Sequence, residues 1–82
     1  MIRAKVYVTL KRGVLDPQGE TVRGALETLG FARVQDVRIG KFMVITFNAV
    51  SREDAAKRVE EMCKKLLANP VIEDYRFELE EG

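Results

Sequence analysis

The first ten residues alternate strictly. Ile2, Ala4, Val6, Val8 and Leu10 fall on one side of an extended chain, and Arg3, Lys5, Tyr7 and Thr9 on the other. Period-two alternation over this length predicts a strand with one buried face. A turn follows at Arg12-Gly13. Asp16-Pro17 then reads as a helix start, with Asp accepting from free backbone N–H groups and Pro at the first helical position. Val22, Ala25, Leu26 and Leu29 recur at i, i+3, i+4 and i+7, which predicts one apolar helical stripe, and Gly30 supplies the stop.

Residues 33–47 read as a β-hairpin turning at Gly40-Lys41, with Ile39 opposite Phe42 and Val37 opposite Val44. The run Phe42-Met43-Val44-Ile45 is then apolar on both faces. Two helices can cover one face of such a sheet, and the other calls for a partner. Ser51 opens a second helix with Asp54 three residues on. Its stripe is Ala55, Ala56, Val59, Met62, Cys63, Leu66 and Leu67. Its outer side places Glu53, Asp54, Glu60 and Glu61 four residues before Lys57, Arg58, Lys64 and Lys65, the favourable order for ion pairs. Asn69-Pro70 ends the helix. Tyr75, Phe77 and Leu79 alternate with Arg76, Glu78 and Glu80 as a last strand, and the acidic end, Glu80-Glu81-Gly82, is expected to fray. The order β-α-β-β-α-β predicts one α+β domain over residues 1–82. Its topology is ferredoxin-like, an antiparallel sheet with two helices on one face.

Composition narrows the function. With 46% hydrophobic and 33% charged residues in 82, the chain is globular and small, so association would add stability. No apolar run is long enough for a membrane span, Met1 to Lys5 lack a signal-peptide core, and the lone Cys63 makes no intrachain disulfide. The cytoplasm is the expected compartment. A formal net charge of +1 is a weak platform for nucleic acid. The aromatics Phe42 and Phe47 are five apart, so they point to opposite faces and do not form an RNA-stacking surface.

Candidate chemistry is sparse. There is no His, which removes the commonest general base and metal ligand. Cys63 sits on an apolar stripe without a base, as a core residue does. The 13–19 turn enters a helix as a phosphate loop would, but Pro17 lacks an N–H and Asp16 brings a negative charge to the same place. Gly19 and Gly24 inside a helix each ask for a packing reason. No catalytic, cofactor-binding or metal-ligating set emerges. Lys11, Arg12, Arg38 and Lys41 could form a basic patch or serve solubility alone.

Three stretches carry a resemblance. They are Gly13-Val14-Leu15-Asp16-Pro17-Gln18-Gly19; Val37-Arg38-Ile39-Gly40-Lys41; and Met62-Cys63 followed by Leu66-Leu67-Ala68-Asn69-Pro70-Val71-Ile72-Glu73-Asp74-Tyr75. Together they resemble the PurS subunit family of phosphoribosylformylglycinamidine synthase, from the first strand to the last. The resemblance implies a non-catalytic role in de novo purine biosynthesis. The PurS-type chain joins a PurQ-type glutaminase to a PurL-type synthetase, which uses ATP and magnesium, and it forms homodimers or dimers of dimers. On this reading Lys11, Arg12, Gly13, Asp16, Gln18 and Gly19 meet a partner subunit. Self-association uses Phe42 and Val44, or alternatively Met43, Ile45 and Phe47. A ligand-sensing regulatory domain of the same topology is the alternative, with a small molecule near the Gly-containing first turn.

Overall fold

A computed structural model describes residues 1–81. The elements run β1 (Ile2–Leu10), α1 (Pro17–Thr28), β2 (Gly40–Phe47), α2 (Arg52–Met62) and β3 (Glu73–Glu81), and α2 continues into a wide π turn, Cys63–Leu67. The strands form one antiparallel sheet in the order β2-β1-β3. The central strand is the first one, because its alternation gives it a fully apolar face. Ile2, Ala4, Val6 and Val8 are all buried.

The α+β class, the antiparallel sheet and both helices stand as the sequence implies. The hairpin does not. Gly40 and Lys41 lie within β2, paired with Thr9 and Val8, so the predicted turn is continuous strand. The first half of the predicted hairpin forms no strand. Its backbone is committed elsewhere: the Ile39 N–H donates to the Asp16 carboxylate, and the Val37 carbonyl lies against Gly19. Those contacts compete with a ladder and win, because they also satisfy the start of α1. The sheet therefore has three strands. The acidic end departs from expectation too. Glu80 and Glu81 are paired in β3 with Arg3 and Ile2, and Gly82 lies outside the described residues.

Both helices begin where the sequence places them. Asp16 caps α1 by accepting from the Gly19 N–H at 2.8 Å, and Ser51 caps α2 by accepting from the Asp54 N–H at 3.1 Å. Gly30, at φ 97°, closes α1 in the left-handed conformation a side chain disfavours. The Phe31 N–H then donates to the Leu26 carbonyl and the Gly30 N–H to that of Glu27, the paired bonds of a Schellman end. Three of the four predicted ion pairs on α2 form, Asp54–Arg58, Glu60–Lys64 and Glu61–Lys65.

The core is a thin layer between α2 and β1. Val59 and Cys63 are fully buried against Ala4, Val6 and Val8, with Ala68 closing one end. Tyr75, Phe77 and Leu79 of β3, and Met43, Ile45 and Phe47 of β2, flank this core and are half-buried. α2 packs across β1 and β3, whereas α1 builds no packing layer on the strands. It stands off one end of the sheet, which gives a molecule 51 × 27 × 14 Å in extent.

Candidate functional site

Cys63 is an unreactive group. Burial, helped by the nearby Glu60 carboxylate, pushes its thiol pKa up, which disfavours the thiolate a nucleophile needs. Beside it the Tyr75 hydroxyl donates to Glu60 Oε1 at 2.8 Å, and this hydrogen bond, with desolvation, raises the phenol to about 12. Both groups tie α2 to the sheet. Among the described residues no three His, Cys, Asp or Glu side chains converge as a metal site.

The 13–19 turn is a mechanical joint. Asp16 is half-buried, and each of its oxygens takes a backbone donor: Oδ1 from Gly19 and Oδ2 from Ile39, both at 2.8 Å. The Ile39 and Gly19 N–H groups hold its carboxyl below the usual range. Gly19 is the one buried residue of α1, and a Cβ there would run into the Val37 carbonyl. Packing is thus the reason for glycine at 19. Gly24, by contrast, has open space where its Cβ would lie. Arg38 completes the joint by donating from one Nη to the carbonyls of Leu10 (2.8 Å) and Lys11 (2.9 Å). The end of β1, the start of α1 and the lead into β2 are thereby fastened together.

The expected partner-facing residues separate into two groups. Asp16 and Gly19 serve the joint, while Arg12, Gly13 and Gln18 are exposed around it and Lys11 is half-buried. The basic patch does not assemble as four free cations. Arg38 turns inward, and Lys41 lies 3.8 Å from Glu73. A shallow depression of about 390 Å³ runs between these groups, lined by Leu10, Asp16, Gln18, Ile39, Lys41 and Glu73 among others. Its best acceptor, Asp16, is already engaged twice.

The open face of the sheet is the second surface. Register puts Phe42, Tyr7 and Arg76 in one row across β2, β1 and β3. The Tyr7 and Phe42 rings sit 5.0 Å apart at 39°, and the Arg76 guanidinium lies 3.9 Å above the Tyr7 ring. Val44 is exposed one step along, and Lys5 pairs diagonally with Glu80 at 2.7 Å. Stacked Tyr, Phe and Arg side chains, held in place yet solvent-facing, are the type that anchors protein interfaces. Alternation along each strand already sends these residues outward. That they meet was hidden in the sequence, because it depends on the strand order. Met43, Ile45 and Phe47 point the other way, towards the helix side.

A sheet with one helix-backed face and one open, aromatic face defines a ferredoxin-like α+β domain suited to binding other proteins. Comparison with known proteins sharpens this. Residues 3–81 match the family described as PurS: Phosphoribosylformylglycinamidine (FGAM) synthase. The chain is 57% identical over 81 residues to the synthase subunit PurS of Bacillus subtilis, covering 99% of this chain and 95% of that one. It is 48% identical to that of Methanocaldococcus jannaschii, covering 98% and 96%. The solved B. subtilis PurS structure superposes with a TM-score of 0.88, covering 99% of this chain and all of that one. A chain in the structure of PurLQS from Thermotoga maritima, 30% identical, superposes at 0.85 over 98% of this chain and 99% of that one. The chain belongs to the PurS family.

Proposed function

We propose that this chain is the small, non-catalytic subunit of a phosphoribosylformylglycinamidine synthase in purine biosynthesis. It joins a PurQ-type glutaminase to a PurL-type synthetase, so that ammonia released from glutamine reaches the synthetase. ATP and magnesium are used by the large subunit, and the assembly works in the cytoplasm. The observation that carries the reading is the match over residues 3–81 together with the likeness to a chain of the T. maritima PurLQS structure. The chain's own surfaces agree: its distinctive groups are an open aromatic row and exposed apolar side chains. No helix among the described residues is long and apolar enough to cross a membrane.

The chain acts as a homodimer or a dimer of dimers, and the exposed rim of the 13–19 turn meets a partner subunit. Size-exclusion chromatography of the three subunits mixed tests both parts. Co-elution of all three is expected, and Arg12→Ala with Gln18→Ala, both at exposed positions, should weaken it while the circular dichroism spectrum is unchanged. Separate elution of the wild-type chain contradicts the reading. Unweakened co-elution of the double variant removes only the turn from the interface.

A further inference from the structure

Three large apolar side chains at one end of the sheet do nothing for the fold. Leu66 is 82% exposed, Val71 79% and Leu15 76%. They belong to three segments: the wide π turn after α2, the loop before β3, and the turn from which α1 leaves as an arm. The Lys11 N–H donates to the Ile72 carbonyl at 2.8 Å, which joins the turn after β1 to the loop before β3. The π turn runs into the same loop through the buried Ala68.

Leu66 and Val71 are held rigidly. In a regular α-helix the spacing from Cys63 would carry Leu66 to the core side. The Ala68 N–H instead donates to the Cys63 carbonyl, five residues back, at 3.0 Å. The widened turn gives the inner position to Leu67 and sends Leu66 outward. Such turns interrupt the regular helical ladder and recur at functional sites. Val71 sits in a loop fastened on both sides. The Asn69 carbonyl accepts from the Ile72 and Glu73 N–H groups, and its side-chain oxygen accepts from the Val71 N–H at 3.1 Å. The Asn69 N–H donates to the Glu73 carboxylate at 2.7 Å. Apolar side chains already fixed in water lose little freedom on meeting another surface.

The free charge in these segments has one sign. Across residues 10–16 and 62–73 the cations are Lys11, Arg12, Lys64 and Lys65, and the acids are Asp16 and Glu73. Both acids are engaged, Asp16 by two backbone N–H groups and Glu73 by the Asn69 N–H and Lys41. Lys64 and Lys65 reach Glu60 and Glu61 at 3.9 and 3.8 Å on the solvated side of the helix. Loose pairs of that kind contribute little and leave both lysines available.

We propose that this end of the molecule docks a partner subunit, whose complementary surface is an apolar hollow rimmed by carboxylates. The inference rests on the subunit reading above and extends the partner surface from the 13–19 rim to the π turn and the 69–72 loop. Leu15, Leu66 and Val71 enter the hollow, where buried apolar contacts hold the complex. Arg12 and the lysines meet the rim and steer the approach. A nucleic acid would use the cations alone and leave the apolar side chains without a role.

Fluorescence anisotropy of the labelled chain, titrated with the synthetase and glutaminase together, tests this. Leu66→Ser with Val71→Ser should raise the dissociation constant at least about tenfold. The lone chain leaves both side chains largely in water, so its circular dichroism spectrum should not change. A second variant, Lys64→Gln with Lys65→Gln, alters only the helix surface. Wild-type binding should weaken as sodium chloride rises from about 0.05 to about 0.5 M, and this variant should flatten that dependence. Wild-type binding that neither variant alters overturns the docking surface alone. No binding by the wild-type chain overturns the subunit reading and the surface with it. Sedimentation and vesicle binding expose the rival occupants. If Leu66→Ser with Val71→Ser splits a homodimer, a second copy covers the patch. If the wild-type chain pellets with phosphatidylglycerol vesicles and that variant does not, a membrane covers it. Either result overturns the partner-subunit assignment.

Discussion

Asp16 does with one carboxylate what usually takes several contacts. It caps α1 and captures the Ile39 backbone, so the helix and the lead into β2 move as one. Asp16→Ala should lower the melting temperature by roughly 5 °C at neutral pH. The sign of its pH dependence follows from the direction of the shift. The folded pKa lies below the ordinary 3.8, so the contribution is complete above that value and is lost as pH falls through the lowered one. The gap between wild type and variant should close over that acid window in thermal melts. Tyr75 works at the other end of the scale. Its folded pKa of about 12 lies above the ordinary 10, so its share of stability is present below pH 10 and disappears towards 12. Tyr75→Phe should therefore flatten the alkaline fall in stability. An unchanged alkaline limb would mean that the Glu60 bond is not what holds the phenol.

Single elements were legible wherever a pattern is local. The alternation of β1, the Asp16 and Ser51 caps, the Gly30 stop and most of the α2 stripe are set by neighbours a few residues apart and lie where the sequence places them. Leu66 of that stripe is instead 82% exposed, because it falls in the wide π turn that follows α2. The 33–47 segment misled because Gly40-Lys41 is a good hairpin turn in isolation. The competing contact, from Asp16 to Ile39, spans 23 residues and leaves no local trace. The same limit hid the row of Phe42, Tyr7 and Arg76, which exists only once β2 and β3 flank β1. The two glycines of α1 looked alike in sequence and differ in structure. Gly19 is packed against the Val37 carbonyl, whereas Gly24 faces open space. Gly24→Ala should therefore stabilise the lone chain by up to about 1 kcal/mol, read from urea unfolding. A comparable loss would show that α1 uses this glycine to approach another backbone.

At the scale of the whole molecule, a thin and extended chain makes sense as a component. Its core is one helix thick, much of its apolar surface is uncovered, and its arm is held away from its own sheet. A solitary small domain gains stability by burying such surface. A subunit leaves it for neighbours. The family match spans the folded elements, so surface and identity lead to the same role. The most direct measurement is formation of the amidine product by the matching synthetase and glutaminase, with and without this chain. It is run once with glutamine and once with ammonium as nitrogen source. The bridging role predicts that the glutamine reaction depends on the chain while the ammonium reaction does not. Equal rates with and without the chain in both reactions would contradict it.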